Sequence, residues 1–370
     1  MRYVKFIVGL VAVGSLLVAC GGGGSGGSVG FVGGFESALN GEYRFIEYGA
    51  SVSGGGVNIF DLTFEGDGTG TYQGVTNTSD TGPFTYKLAE NGEFRLYPDP
   101  LNNPTFFVKG QTDGSLLLTY DNDDSDGSIH ISAGVGKIDT TVTTLSELDL
   151  QGDFRFVEAG GDGTTATTAV IDVNFDGSGT ATITSYEDSD GNITPPAPVP
   201  YTVAANGELT IDGTMIGQVN YSGSVVVFAD DDPGTDGFMS GTIGFKENQN
   251  DLDGDYTAGQ FAVDNPQPPP TTSIYTYTSE ILMTADTTTH SITGTWADSD
   301  GTSGAIPTPA IYSVDPANGN LTLPTGDIGQ VRNGAFIAAD IDPTTDPADP
   351  EETPSIMIMF GINKVDTVLK

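Results

Sequence analysis

One pattern of landmarks occurs three times along this chain, at intervals of about a hundred residues. Each copy begins with a leucine that is followed, two residues later, by a glycine, an acidic residue and an aromatic residue. The three openings read Leu39-Asn-Gly-Glu-Tyr43, Leu150-Gln-Gly-Asp-Phe154 and Leu252-Asp-Gly-Asp-Tyr256. A repeat of this length is large enough to bury its own core. The sequence therefore predicts three modules, at residues 38–140, 149–247 and 251–366.

Two further landmarks keep the same order in every copy. The first is a tyrosine five or six residues before an Asn-Gly pair, and the second is a closing strand that ends in lysine. The tyrosines are Tyr86, Tyr201 and Tyr312, and the lysines are Lys137, Lys246 and Lys364. Glycine reaches positive φ without steric cost and asparagine tolerates it, so the Asn-Gly pairs favour tight hairpins.

The local pattern within each copy predicts strands. Ile171, Val173 and Phe175 alternate with polar residues, which places one face of a strand on a core and the other in water. The 52 glycines argue against long helices, and no stretch after residue 20 shows an apolar stripe at helical spacing. In the first copy we expect eight strands, starting near Tyr43, Val57, Gly70, Phe84, Glu93, Thr105, Ser115 and Ser128.

Short connections between eight strands predict an antiparallel meander, and closure into a barrel removes its two exposed edges. The fold class is therefore all-β, with three tandem up-and-down eight-stranded barrels. Two alternatives remain open at this stage. Each copy would also fit a β-sandwich, or two four-stranded blades that together form a six-bladed propeller.

Each copy resembles a lipocalin-like (calycin-type) barrel domain. The resemblance rests on the opening Gly-x-aromatic motif, the following Phe-x-Gly-x-Gly hairpin at Phe64 and Phe175, and the Tyr…Asn-Gly hairpin. It covers most of residues 39–370, with tyrosine or phenylalanine where lipocalins have an opening tryptophan. The resemblance implies a barrel and, as an alternative function, a carrier of a small apolar ligand.

The first twenty residues read as a secretory leader. Arg2 and Lys5 precede an apolar run at 6–18 that is too short to span a bilayer. The run ends in Leu17-Val-Ala-Cys20, which resembles the bacterial lipobox, where the leader is cut before an acylated (palmitate-bearing) cysteine. We therefore predict a signal peptide at 1–19, lipidation of Cys20, and a Gly/Ser tether at 20–37. Because Gly21 follows the cysteine, the expected address is the cell envelope, at the outer membrane or cell surface. As Cys20 is the only cysteine, no intrachain disulfide forms.

The chain is strongly acidic, with 50 Asp and Glu against 12 Lys and Arg and a net charge of −38. This balance excludes nucleic acid and anionic lipid headgroups as partners. Acidic clusters follow the third and seventh strands of a copy, which places them at one end of a meander. Calcium prefers such carboxylate-rich loops, so the candidate ligands are Asn122, Asp124, Asp126, Asp188, Asp190, Asp230, Asp231, Asp232, Asp298 and Asp300. Solvated acidic turns explain the same clusters without a metal.

No catalytic motif stands out in the sequence. The two histidines, His130 and His290, do not align between copies, and neither has a second histidine at zinc spacing. Trp296 aligns with Tyr186, which indicates a core or girdle aromatic rather than a sugar platform. We therefore predict a non-enzymatic envelope lipoprotein that displays three β modules for binding or surface-structural roles. The alternatives are the lipocalin-like carrier and a calcium-stabilised adhesion module. The partner besides the membrane, a protein or a small ligand, stays open.

Overall fold

In the residues that it describes, the computed structural model of the protein consists of strands and two short 3-10 turns. It describes residues 34–51, 54–75, 78–98, 107–121, 128–161, 166–189, 191–230, 239–248, 250–264, 275–299, 301–332, 334–341 and 355–364. Within these ranges, no helix has the length and apolarity needed to cross a membrane.

The first copy folds into a closed eight-stranded antiparallel barrel. Its strands are β1 (Asn40–Ser51), β2 (Gly54–Glu65), β3 (Thr69–Gly74), β4 (Thr81–Leu88), β5 (Glu93–Tyr97), β6 (Val108–Thr112), β7 (Leu116–Asp121) and β8 (Ser128–Gly136). Every strand starts within three residues of its predicted start. The barrel closes where β1 pairs with β8, from Tyr43 opposite Gly136 to Ser51 opposite Ser128.

The second copy repeats this closed barrel. Its strands are β9 (Gly152–Gly161), β10 (Ala166–Phe175), β11 (Thr180–Asp188), β12 (Val199–Val203), β13 (Glu208–Ile211), β14 (Met215–Val219), β15 (Val225–Asp230) and β16 (Met239–Lys246). The ladder between β16 and β9 closes the ring. Two closed barrels show that the sandwich and propeller alternatives are wrong.

The third copy is a curled ten-stranded sheet. Its strands are β17 (Gly254–Asp264), β18 (Tyr275–Asp286), β19 (Ser291–Asp298), β20 (Ser303–Ala305), β21 (Ala310–Ile311), β22 (Ser313–Val314), β23 (Asn320–Thr322), β24 (Ile328–Arg332), β25 (Ala335–Asp340) and β26 (Ser355–Asn363). The fourth strand of the barrel is split here. Its β21 half pairs with β19 and its β22 half pairs with β23, so this segment lies between the two edges of the sheet. Pro307 and Pro309, which lack an N–H, precede the split and interrupt the ladder.

The repeated landmarks close one end of each barrel. Leu39, Leu150 and Leu252 are all fully buried at the base of their barrels. The landmark tyrosine donates its hydroxyl to a carbonyl just before the first strand, as in Tyr86 to Leu39 (2.8 Å) and Tyr312 to Leu252 (2.8 Å). The buried hydroxyl is thereby satisfied, and the ring seals the interior.

A buried glutamine braces the Asn-Gly turn at the same end of each barrel. Its Nε2 donates to the asparagine carbonyl at 2.7–2.8 Å. The pairs are Gln111 with Asn91, Gln218 with Asn206, and Gln330 with Asn318. This repeated contact fixes the turn against the following hairpin.

The seventh strand of each copy is buried on both faces. The uninterrupted apolar runs Leu116–Leu118, Val225–Ala229 and Ala335–Ala339 occupy β7, β15 and β25. One set of their side chains points into the barrel interior, and the other set packs against the neighbouring barrels. The outward set belongs to one cluster with members from all three copies, which we call the shared core. The three barrels therefore pack as a bundle and are not independent units on a string.

Candidate interaction surface

All three barrels point the same way. The closed end of a barrel carries the tight turns after its second, fourth and sixth strands, and the open end carries the other connections. Closed ends meet where Arg44 Nη1 lies 3.3 Å from Glu208 Oε2 and where Arg332 Nη2 lies 3.1 Å from Asp113 Oδ2. Open ends meet where the Thr168 hydroxyl donates to the Asp340 carbonyl at 2.5 Å. The bundle thus has one closed face and one open face.

Arginines at equivalent positions join successive barrels. Arg44 reaches Glu208 of the second barrel, and Arg155 reaches Asn320 of the third. The Asn320 oxygen accepts from Arg155 at 3.0 Å when its amide is assigned to satisfy all its partners. Glu208 and Asn320 also occupy equivalent positions, directly after an Asn-Gly turn. Two of the three junctions are therefore built alike.

The junction between the third and first barrels uses other residues. Thr257 stands where the other copies have arginine, and Arg332 provides the positive charge from β24. On the opposite side of this junction, Lys109 lies 2.5 Å from Glu280 and the Tyr120 hydroxyl donates to Glu280 at 2.7 Å. These contacts close the ring of barrels.

Arg44 keeps its charge although it is almost fully buried. Burial lowers the pKa of its guanidinium, but the hydrogen bonds and charges of Asp61 and Glu208 outweigh this and raise the pKa above its usual value. Two parallel bonds to Asp61, at 2.9 and 3.1 Å, hold the guanidinium plane. The closed face is thus fixed by a paired buried charge.

The open end of the first barrel contains a polar cluster above the aromatic interior. His130 is 5% exposed, and its Nδ1 lies 3.6 Å from Glu47 Oε1. Neither ring nitrogen makes a hydrogen bond. The ring packs on Gly49, where a Cβ would lie 2.5 Å from Nδ1. Asn58 donates to the same Glu47 carboxylate at 3.2 Å.

Buried acids occupy the open ends of the other two barrels. Burial raises the pKa of Glu158, and the nearby charges of Asp188 and Asp230 add to this effect. Thr242 donates to the Glu158 carboxylate at 3.1 Å. In the third barrel, burial raises the pKa of Asp327 to about 6. These groups bind protons more readily than ordinary carboxyl groups.

The predicted calcium ligands fall into two groups. Asn122, Asp124, Asp126, Asp190, Asp231, Asp232 and Asp300 lie outside the described residues. Asp188 and Asp298 hold their own turns: Asp188 accepts from the Asn192 N–H at 2.8 Å, and Asp298 accepts from Ser279 Oγ at 2.5 Å. Asp230 ends β15. Within the described ranges, no three His, Cys, Asp or Glu side chains come together in a metal-binding group. Calcium binding by the remaining loops stays a prediction.

Aromatic rings fill the barrel interiors. Phe45 stacks on Phe60 with centroids 5.4 Å apart and planes 7° apart, and Phe156 meets Phe228 edge-on at 5.5 Å. Trp296 packs against the interior cluster of the third barrel, in agreement with the prediction of a core or girdle residue. A cavity of about 10 Å³ lies in the shared core, which is roughly the room for one water molecule. Over the described residues, aromatic and aliphatic side chains therefore occupy the barrel interiors.

The fold defines the protein as a bundle of three antiparallel β-barrel units. No protein-family model and no curated protein sequence matches the chain. Several solved structures are similar to the chain at TM-scores below 0.5, and their likeness carries no functional inference. A mutant of the vaccine antigen transferrin binding protein B from Haemophilus parasuis is 9% identical, with 88% of this chain and 76% of that chain covered and a TM-score of 0.28.

The isotype 1 transferrin binding protein B from serogroup B Neisseria meningitidis is also 9% identical, with 88% and 77% covered and a TM-score of 0.25. A protein of unknown function from Nostoc punctiforme is 9% identical, with 90% and 100% covered and a TM-score of 0.21.

The shared core is the main feature that sequence reasoning missed. Its signal was present in the apolar runs of the seventh strands, since a strand with one solvated face alternates and a strand buried on both faces does not. The buried Gly-Gln pair of the sixth strand, at Gln111, Gln218 and Gln330, was a second repeated signal.

Proposed function

We propose that the protein is a non-catalytic, lipid-anchored cell-envelope protein whose three-barrel bundle presents its open face to a partner. The bundle is the rigid head, and the acylated Cys20 with the tether at 20–37 is the anchor. The proposal also keeps the module limits 38–140, 149–247 and 251–366, which enclose β1–β8, β9–β16 and β17–β26.

The observation that carries the proposal is the place where the tether joins the bundle. It joins at the closed face, which is the same end of all three barrels. The described chain begins at the closed face, where the Phe35 N–H donates to the Leu88 carbonyl at 3.3 Å and the Tyr86 hydroxyl donates to the Glu36 carbonyl at 2.9 Å. A flexible tether of this length has an end-to-end distance of about 20–25 Å. An anchor at Cys20 therefore holds the closed face toward the membrane and turns the open face away from it.

The rest of the structure fits a display role. The shared core joins the three barrels into one body, so the strand ends at the open face keep fixed relative positions. The net charge of −38 favours a basic partner, and electrostatic steering speeds its encounter with the protein. Filled interiors leave the outer surface as the binding region.

The experiment measures the distance of each face from a membrane. Because Cys20 is consumed by the lipid, a single introduced cysteine is the only free thiol. Val142→Cys labels the closed face and Ile193→Cys labels the open face, and both side chains are largely exposed. The lipidated protein is placed in vesicles that carry a headgroup quencher, and a thiol-linked dye is read out. We expect stronger quenching at Val142→Cys. Equal quenching, or stronger quenching at Ile193→Cys, contradicts the proposed orientation.

Calcium binding by the open-face loops is tested separately. If the loop carboxylates hold the ion, calcium raises the melting temperature relative to a chelator, by mass action on the folded state. An unchanged midpoint leaves the acidic loops as a solvated surface. Either result leaves the anchor and the orientation intact.

A further inference from the structure

Among the described residues, the closed second barrel has a gap in its wall beside β11, beyond the short pairing of β11 with β12. In the first barrel, β3 pairs with β4 from Thr69 to Gln73. In the second barrel, the corresponding β11 pairs with β12 only at Thr180 and Ala181. No described residue forms a ladder with the outer edge of Thr182–Ser185. This segment has an exposed row of backbone donors and acceptors.

The third barrel covers part of the corresponding edge. There, Ser303–Ala305 form β20 and pair with Thr295–Ala297 of β19, and the Ile306 N–H donates to the Gly294 carbonyl at 2.9 Å. The chain reaches β20 directly after an Asp-Ser-Asp-Gly sequence that both copies share. Trp296 aligns with Tyr186, so Thr295–Ala297 correspond to Ser185–Glu187, while β4 of the first barrel covers the equivalents of Thr182–Ser185. The two sister barrels therefore show that a strand fits beside this edge, and among the described residues the second barrel has none there.

Proline explains why the second copy leaves the edge uncovered. The equivalent segment, residues 191–198, we call the proline strap; it carries Pro195, Pro196 and Pro198 and is exposed along its whole length. Proline has no N–H to donate to a ladder, so the strap cannot pair as β20 does. The Asp188 carboxylate fixes the start of the strap through the backbone and side-chain nitrogens of Asn192, at 2.8 and 2.9 Å.

The apolar side chains beside the gap are incompletely buried. Ile183, Tyr186 and Val199 face the interior of the second barrel but are only partly buried. Ile193 of the strap is 71% exposed. An added strand would place alternate apolar residues over Ile183 and Tyr186, and its other residues would face outward beside Glu187.

We propose that the edge of Thr182–Ser185 binds an extended, basic peptide segment of a partner protein by β-augmentation. The partner's backbone supplies the ladder that β4 and β20 supply in the sister barrels. Charge decides against a second copy of this chain, since two bodies of net charge −38 repel each other, and it favours a segment with lysine or arginine at outward positions. This docking edge is separate from the open-face loops and does not depend on the lipid anchor.

The first test measures amide hydrogen exchange in the free protein. Outward-pointing amides of Thr182–Ser185 are expected to exchange at least about tenfold faster than those of the equivalent Thr71–Gln73 in the first barrel, which β4 protects. Equal protection at both places means that the edge is already covered, and it overturns the proposal.

The second test titrates a fluorescent peptide of alternating valine and lysine and follows its anisotropy. We expect saturable binding that weakens with salt and adds protection at Thr182–Ser185. An N-methylated version of the peptide, which cannot form the ladder, is expected not to bind. No binding of the parent peptide, or equal binding of both peptides, contradicts the proposal.

Two variants of the protein complete the test. A strap graft replaces residues 192–198 with residues 302–309 of the third copy, which supplies the missing cover. Thr184→Pro removes the N–H of a bulge residue that has no partner in the β10 register, so it blocks the edge and keeps the β10–β11 ladder. Both are expected to reduce peptide affinity at least about tenfold, which corresponds to roughly 1.4 kcal/mol. Unchanged affinity in both variants overturns the proposal, as does a dimer of the parent chain that the graft abolishes.

Discussion

The ring of Phe156 lies directly against the backbone of Gly244 on the neighbouring strand, so that a Cβ on Gly244 would lie 2.1 Å from the ring. Phe45 covers Gly134 in the same way in the first barrel. In the third barrel the ring comes from the other neighbouring strand, because Ala258 stands at the phenylalanine position and Phe336 covers Gly361. The equivalent interior position is thus filled in all three barrels. The ring comes from the first strand in two of them and from the seventh strand in the third.

Gly244→Ala is expected to destabilise the protein by about 1–3 kcal/mol, because the added methyl group overpacks the ring of Phe156. Gly56→Ala is the matched control, since a Cβ there meets only the Met239 methyl at an ordinary 3.5 Å. Denaturant unfolding measures both. Adding Phe156→Ala to Gly244→Ala should cost less than the sum of the single changes. Equal effects of the two glycine changes would contradict the close packing.

Replacement of Ile337, a fully buried member of the shared core, tests whether the barrels stabilise one another. Ile337→Ala is expected to cost about 2–5 kcal/mol, since it deletes buried methyl groups and leaves a cavity. We expect the parent protein to melt in a single calorimetric transition, and we expect Ile337→Asp to separate the third barrel from the other two and split that transition. Ile193→Ala, at an exposed site, is the control and should change stability by at most about 0.5 kcal/mol. A single unshifted transition in Ile337→Asp would exclude a shared core.

Asp327 makes stability fall as pH rises. Burial raises its folded pKa to about 6, above the ordinary value of 3.8, so the folded state binds more protons between these values. The stabilising contribution of the protonated Asp327 carboxyl is fully present below about pH 4 and declines as the pH rises through 6. At higher pH the free energy of unfolding no longer changes because of this group. The loss is at most about 3 kcal/mol. Asp327→Asn should therefore stabilise the protein at pH 7 more than at pH 4, as measured by chemical unfolding.

Asp176 is the control of opposite sign. Hydrogen bonds from Ser178 and Thr180 lower its pKa to about 2, so its stabilising effect is lost as pH falls from 4 toward 2. Asp176→Asn should weaken the protein at neutral pH and have little effect near pH 2. An Asp327→Asn variant whose stability changes equally at all pH values would show that Asp327 titrates normally.

Arg44→Met should lower the stability of the protein, because it weakens the contact between the first two barrels at the closed face. Removal of the buried guanidinium leaves Asp61 with Lys137 as its remaining partner at 2.6 Å. We expect a loss of about 2–4 kcal/mol from the burial of an incompletely paired charge. In double-mutant cycles, the coupling of Arg44 to Asp61 should exceed its coupling to Glu208, because the Glu208 side chain is 43% exposed and screened by water. If the coupling of Arg44 to Glu208 were the larger one, the main stabilising contact of Arg44 would lie across the junction between the two barrels.

Cys20→Ala tests the anchor. The variant is expected to lose acyl labelling and to move from the membrane fraction to the soluble fraction, because nothing else in the leader is long enough to hold the protein in a bilayer. Ser25→Ala, in the tether, is the control and should stay with the membrane. Membrane retention of Cys20→Ala would rule out lipidation as the attachment.

The sequence predicted the strands well because their signals are local. Alternation at Ile171, Val173 and Phe175 and the Asn-Gly turn at Asn206 depend on neighbours a few residues apart. Closure of the first two barrels was also predictable, since an eight-stranded meander has two edges that must be paired or covered. Two features were less predictable, namely the broken strand around Tyr312 and the uncovered edge of β11. In the sequence, their only signs were the clustered prolines before β21 and before β12.

The sequence by itself determined the repeat, the strand order and the closed ends, because the side chains that form them are neighbours in the chain or in adjacent hairpins. Only the tertiary structure decided that Val227 and Ile337 pack between barrels, that all three open ends face one way, and that β11 lacks the cover its sisters have. The physical reason is that an uninterrupted apolar run in the sequence indicates that both faces of a strand are buried. It does not indicate which residues cover the second face. That cover comes from residues more than a hundred positions away.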